Sequence, residues 1–230
     1  MLDLSNYRKA DIEKKLEIAR FRPLDVMVTG VTGAGKSTTL NTIFSKNVAK
    51  VGNGVNPETM SLDSYSLNDV FRLWDTPGLG DGVEIDEIHK RKLVDLLYKT
   101  YRLDGNTYGW IDLAIVVIEG ANRDMGSTYT LLNEVIVPNI QADRILVVIN
   151  QADVAMKGKH WNSETDKPDE ILKDFLENQA LSIQKRVKEA TGITIRKPIY
   201  YAAEHGYNTT TLLNFIIDNM PLVRRTLVTK

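Results

Sequence analysis

Eight consecutive residues, Gly30-Val31-Thr32-Gly33-Ala34-Gly35-Lys36-Ser37, follow the pattern GxxxxGK[ST]. The chemistry of that spacing is phosphate binding. A loop that wraps a polyphosphate must turn its backbone N–H groups inward, and Gly33 and Gly35 tolerate the positive φ and close approach this demands. A helix that starts at the loop points its positive dipole end at the same phosphates. Lys36 would then reach the β/γ oxygens and the Ser37 hydroxyl would ligate Mg²⁺. Gly33, Ala34, Gly35, Lys36, Ser37 and Thr38 are therefore the expected nucleotide contacts.

A second glycine-rich turn, Asp75-Thr76-Pro77-Gly78-Leu79-Gly80-Asp81-Gly82, follows the apolar stretch Val70–Trp74. A carboxylate at such a strand end holds Mg²⁺, usually through water, and the glycine N–H meets the γ-phosphate, which assigns Asp75 and Gly78 those roles. DTPG is also good tight-turn chemistry, and its place after the phosphate loop favours the functional reading. Residues 47–61 carry two glycines, one proline and three asparagines, the composition of a mobile loop. That loop should lend a hydroxyl to the metal. Ser45, Thr59 and Ser61 are the candidates, and Thr59 is preferred because it immediately precedes an alternating strand. The expected metal set is Ser37, Thr59 and Asp75, and the residues expected to act on the reacting phosphate are Lys36, Thr59 and Gly78.

The aliphatic run Ile145–Ile149 leads into Asn150-Gln151-Ala152-Asp153. A carboxylate there accepts both guanine N1–H and N2–H₂. Adenine has neither donor and would leave the acid unpaired, a penalty on the order of 10⁴-fold in comparable sites. Asp153 is thus expected to select GTP and GDP, with Asn150 binding the ring edge and tying this segment to the phosphate loop. A backbone N–H near Ala203 is the expected partner of guanine O6.

These residues need a scaffold that brings strand ends together. Leu24–Thr29, Leu113–Ile118 and Ile145–Ile149 read as buried strands, with further strands at Ser61–Leu67, Val70–Asp75 and Pro198–Ala203. Ile12, Leu16 and Ala19 share one face of an amphipathic helix near residues 5–20, which Pro23 ends. Helices are also expected at Ser37–Phe44, Ile85–Tyr101, Tyr129–Ile136, Ile171–Ala190 and Thr210–Asn219, with LDGNTYGW as a loop and 155–169 as a polar insertion. The basic run His89-Lys90-Arg91-Lys92 reads as a solvated helix face. Alternating strands and helices predict an α/β protein: three layers around a mostly parallel sheet, with an N-terminal amphipathic helix. The expected divisions are a helical extension over 1–22, the main domain over 23–220 and a tail over 221–230.

Composition narrows the function. The 230 residues are 43% hydrophobic and 26% charged, ordinary for a globular core. A net charge of −1 gives no general attraction for nucleic acid. No cysteine is present, which removes disulfide, thiolate and cysteine–zinc chemistry, and the three histidines are widely spaced. The charged N-terminus lacks the apolar centre of a secretory signal, and Ile111–Ile118, interrupted by Asp112, is too short to span a bilayer. A cytoplasmic protein without a transmembrane segment is expected.

GVTGAGKST, VNPETM, WDTPGLGDG and INQAD, in this order, resemble the Era-like and septin-like GTPases of the P-loop superfamily. The likeness extends to the small bacterial group known as 50S ribosome-binding GTPases and covers nearly the whole chain. It implies a G domain that binds GTP and GDP with Mg²⁺ and hydrolyses GTP. It also implies a nucleotide-dependent switch or, as in septins, a nucleotide-gated homodimer, and it is the sole ground for expecting ribosome or RNA contact. Three positions depart from the family. Gln151 replaces the usual NKxD lysine, Ala202-Ala203 replaces the usual serine–alanine pair, and Leu79 stands where Ras-like proteins carry the glutamine that orients water. Leucine cannot hydrogen-bond water, so intrinsic hydrolysis is expected on the order of 10⁻³ s⁻¹ or below.

Overall fold

The aliphatic runs form the centre of a six-stranded sheet. The structure, a computed structural model, describes residues 4, 6–20, 23–44, 64–121 and 125–228. In chain order its elements are α1 (Lys9–Ala19), β1 (Leu24–Gly30), α2 (Lys36–Ile43), β2 (Ser64–Asn68), β3 (Phe71–Asp75) and α3 (Val83–Tyr98). β4 (Thr100–Leu103), β5 (Asn106–Gly109), β6 (Leu113–Glu119), α4 (Gly126–Thr130) and β7 (Ile145–Asn150) follow. The chain continues through β8 (Trp161–Asn162), β9 (Lys167–Pro168), α5 (Glu170–Thr191), β10 (Ile199–Tyr200) and α6 (Thr209–Asp218). α4 runs directly into a π-helical turn, Leu131–Ile136.

The sheet order is β10-β7-β6-β1-β3-β2, parallel throughout except for the β2–β3 pair at one edge. Alternate side chains of the inner strands feed two cores. Val26, Val28, Ile115 and Val148 meet α1, α2 and α6 through Ile12, Leu40 and Ile216. Met27, Val116 and Val147 meet α3, the π turn and α5 through Leu97, Leu132 and Ile183. Both faces are covered, which is why these strands read as unbroken aliphatic runs. β1 lies between β3 and β6, so successive crossovers leave it in opposite directions. The crevice at the carboxyl ends of its neighbours is where such sheets bind ligands.

α1 belongs to this body. Ile12, Leu16 and Ala19 are buried, and Arg8 pairs with Asp218 at 2.7 Å while Lys15 donates to the Ile217 carbonyl. The stretch 221–228 has no helix or strand, yet Arg225 is fully buried and donates to the carbonyls of Ile111, Asn139 and Leu97. No helix among the described residues is long and apolar enough to cross a membrane.

Two local expectations fail. LDGNTYGW is not a loop: β4 and β5 form an antiparallel hairpin whose two-residue turn, Asp104-Gly105, has φ of 50° and 77°. Two positive φ values match the twist of the flanking strands, the reason Asp-Gly favours such turns. The last strand is two residues long, Ile199–Tyr200, and not the full Pro198–Ala203. Ala202 instead pairs with Tyr207 across a tight turn.

Candidate functional site

The loop between β1 and α2 has the backbone that phosphate wrapping demands, with φ of 87° at Gly33 and 80° at Gly35. A Cβ on Gly35 would collide with the Asn150 side-chain amide, so residue 35 is glycine for space as well as for φ. The loop opens on a cavity of about 620 Å³ lined by Gly33, Lys36, Ser37, Thr38, Asp75 and Gly78, among others. The Ala34 side chain faces the core, fully buried, and its carbonyl accepts a hydrogen bond from Asn150 Nδ2 at 3.0 Å.

Lys36 is 9% exposed, and its ammonium donates to the Val31 carbonyl at 3.0 Å. Burial pushes its pKa below the ordinary lysine value, opposed by the negative charges of Asp75, Asp81 and Glu119. Ser37 Oγ donates to Asp75 Oδ2 at 3.2 Å, which joins two of the three expected metal ligands. Thr59, with the alternatives Ser45 and Ser61, lies outside the described residues.

The segment after β3 is stitched onto the phosphate loop. Thr32 N–H donates to the Leu79 carbonyl at 2.7 Å, Leu79 N–H to the Gly30 carbonyl at 3.4 Å, and Thr32 Oγ1 to Asp81 Oδ2 at 2.8 Å. Asp86 Oδ1, in the first turn of α3, accepts from the N–H groups of Gly80 and Asp81. Gly78 sits so close that a Cβ there would lie 2.7 Å from both Lys36 Nζ and the Thr32 nitrogen. Leu79 is 1% exposed and belongs to the core with Met27, Leu93 and Leu97.

Asn150 ends β7 as a brace. Its Nδ2 donates to the phosphate loop at Ala34, and its Oδ1 accepts the Ala203 N–H at 3.0 Å. The Ala203 N–H, expected to reach guanine O6, is thereby committed to Asn150. Gln151, with φ of 60°, donates through Nε2 to the Gly33 carbonyl at 2.9 Å. The glutamine head group, standing where the family carries lysine, therefore contacts the phosphate loop. Asp153 lies with His205 Nε2 3.6 Å from its Oδ2, while His205 Nδ1 is 2.7 Å from Asp166 Oδ1. Trp161, on the hairpin that the polar stretch 155–169 forms, lies 5.1 Å from the His205 ring.

Sequence reading missed several of these groups. His89 and Lys92 are half-buried and line the phosphate cavity, while Lys90 pairs with Glu87 and Glu134, so the basic run is not one solvated face. The signal was their three-residue spacing on a helix that starts just after DTPGLGDG. Thr32 and Asp81 stand at positions of the two glycine-rich motifs to which no role attached, and Asp166 and His205 lie in no motif, so their contacts became visible only with the fold.

The glycine-lined loop, the docked segment behind Asp75 and the Asn150 brace define a P-loop G domain, and residues 25–188 match the 50S ribosome-binding GTPase family. The chain belongs to that family. No curated protein matches the sequence. Among solved structures, a GTP-binding protein from the hyperthermophilic archaeon Sulfolobus solfataricus, in complex with GDP, aligns at TM-score 0.56 and 20% identity, over 93% of this chain and 57% of its own. An Aquifex aeolicus Era variant bound to GDP and AlF4⁻ aligns at TM-score 0.53 and 17% identity, over 91% of this chain and 62% of its own. The G domain of the T. maritima FeoB iron transporter gives TM-score 0.50 and 19% identity, over 86% of this chain and 99% of its own. At these identities the likeness establishes the fold. The chain spans less than two thirds of the first two proteins.

Proposed function

We propose that this chain binds GTP and GDP with Mg²⁺, hydrolyses GTP slowly to GDP and phosphate, and works as a nucleotide-dependent switch. The observation that carries the reading is the double link from the phosphate loop to the base-reading strand end, Asn150 to Ala34 and Gln151 to Gly33, with Asp153 two residues further on. Phosphate and base recognition are thereby held at a fixed separation, the requirement for reading one nucleotide with both. Lys36 and the loop N–H groups would hold the β/γ phosphates, and Asp153 would select guanine.

The donor set suits magnesium. A serine hydroxyl and a carboxylate are hard oxygen ligands, and Mg²⁺ takes one or two such groups alongside substrate phosphates and water. Ser37 and Asp75 would hold the ion, with Thr59 as the third protein oxygen; bound there, it neutralises charge on the phosphates. The setting we propose is the cytoplasm, where both ligands are abundant.

With Leu79 in the core, the position after DTPG offers nothing to a water molecule, in keeping with slow turnover. Phosphate release from the purified chain should run on the order of 10⁻³ s⁻¹ or slower. Turnover of several per second without additions would refute this reading.

A second reading is a nucleotide-gated homodimer. Val83, Ile85 and Ile88, exposed at 82%, 46% and 53%, lie in the first turns of α3, directly after the segment expected to sense the γ-phosphate. Sedimentation with GDP and with a non-hydrolysable GTP analogue separates the two readings: a mass that doubles with the analogue alone favours the dimer. Ribosome or RNA contact rests on family membership alone.

A further inference from the structure

Leu79 leaves the reaction without the side chain that would orient water from that position, and α3 carries a substitute. His89 Nδ1 lies 2.6 Å from the Gly78 carbonyl oxygen. A carbonyl only accepts, so Nδ1 carries the proton of that bond. In the neutral ring Nε2 is then the acceptor, and the tautomer is set by the protein backbone. His89 also lines the phosphate cavity, so with Nδ1 turned to Gly78, Nε2 is the nitrogen left to meet what the cavity holds.

The anchoring is firm. The Gly78–Leu79 peptide is held at its oxygen by His89 and at its N–H by the Gly30 carbonyl, while the Leu79 carbonyl accepts from Thr32. The ring is therefore fixed relative to the same loop that would hold the phosphates. The other polar side chains on that flank are less suited to the task. Lys92 has only donors and fits phosphate charge, not the hydrogens of water. Asp81 already accepts from Thr32 Oγ1 at 2.8 Å.

We propose that His89 is a catalytic residue for GTP hydrolysis, its Nε2 accepting a hydrogen bond from the attacking water and aiming that water at the γ-phosphorus. The proposal rests on the reading of this site as a GTPase. The water oxygen forms its bond to the γ-phosphorus as the bond from that phosphorus to the bridging oxygen of GDP breaks. The bridging electrons stay with GDP, and both water protons leave with inorganic phosphate. His89 orients and is unchanged at the end.

Two substitutions split this role from a structural one. His89→Asn keeps an amide N–H where Nδ1 stood, and with it the bond to Gly78, but has nothing at Nε2. His89→Gln reaches the Nε2 position and can accept there. Single-turnover hydrolysis is measured with GTP saturating each protein, beside GTP and GDP affinities. The expected result is a rate loss on the order of 10²-fold in His89→Asn with affinities within about threefold of the parent, and partial recovery in His89→Gln. If His89→Asn weakens binding, the rate of the saturated complex still decides. A His89→Asn protein that hydrolyses bound GTP at the parental rate overturns the proposal, as does a His89→Gln protein no faster than His89→Asn. A parent that hydrolyses GTP in either case keeps the GTPase reading, whereas a parent that binds no GTP ends both.

Discussion

Gln151 Nε2 donates to the Gly33 carbonyl at 2.9 Å, so a neutral hydrogen bond joins the segment that would read the base to the loop that would hold the phosphates. The family's usual lysine would bring a charge to this place; glutamine brings only the tether. A bond of this kind is worth about 0.5–1.5 kcal/mol. Gln151→Ala should therefore weaken GTP and GDP equally, by roughly two- to tenfold, and leave the hydrolysis rate of bound GTP unchanged. Calorimetric titration with both nucleotides checks this. A loss confined to GTP would mean that Gln151 senses the third phosphate.

The Asp153 carboxylate selects the purine in this account. Asp153→Asn replaces one acceptor oxygen with a donor, which suits the N1/C2 edge of xanthine and not that of guanine. The variant should bind xanthosine nucleotides in preference to guanosine nucleotides, read by competition binding. A variant that keeps its guanine preference would move base recognition elsewhere.

Gly78 has no room for a side chain, since a Cβ would lie 2.7 Å from Lys36 Nζ and from the Thr32 nitrogen. Gly78→Ala must lift the 78–81 segment off the phosphate loop at a cost of about 1–3 kcal/mol. GTP affinity should fall roughly tenfold or more, and GDP affinity should stay within about threefold if, as proposed, that segment meets only the γ-phosphate. Equal losses for both nucleotides would place Gly78 with the β-phosphate or with stability alone.

Asp112 interrupts the apolar run before β6 and is 4% exposed, accepting the Asp25 N–H at 3.0 Å. Burial pushes its pKa from 3.8 up to about 7. Because the folded value is raised, this group's contribution to stability is fully present below about pH 4 and is lost as pH rises through about 7. Asp112→Asn keeps an acceptor for Asp25 and removes the charge. Relative to the parent, its unfolding free energy from urea titration should rise between pH 5 and pH 8, with an upper bound of about 3 kcal/mol. A difference that does not change with pH would show that the carboxyl is charged throughout.

The sheet was legible in the sequence because burial on both faces leaves unbroken aliphatic runs, as in Leu113–Ile118 and Ile145–Ile149. Lys36, Ser37 and Asp75 were legible because phosphate wrapping constrains residue type at fixed spacing. The β4–β5 hairpin was missed although Asp104-Gly105 carries its turn signal, because the exposed strands lack a clear apolar alternation. His89 was missed for a different reason. Its part depends on which way α3 turns over the phosphate loop, and that is set by Leu93 and Leu97 in the core and not by anything at His89 itself. His205 meets Asp153 and Asp166 only because the turn after β10 is brought against the 155–169 insertion, a contact between segments far apart in sequence.

The central claim is that one site reads both polyphosphate and guanine. Competition of GTP, GDP and ATP against a fluorescent guanine nucleotide, with and without Mg²⁺, tests it most directly. The account predicts that GTP and GDP compete, that ATP is weaker by on the order of 10⁴-fold, and that removing Mg²⁺ weakens GTP. Equal competition by ATP, or no bound nucleotide at all, would contradict it.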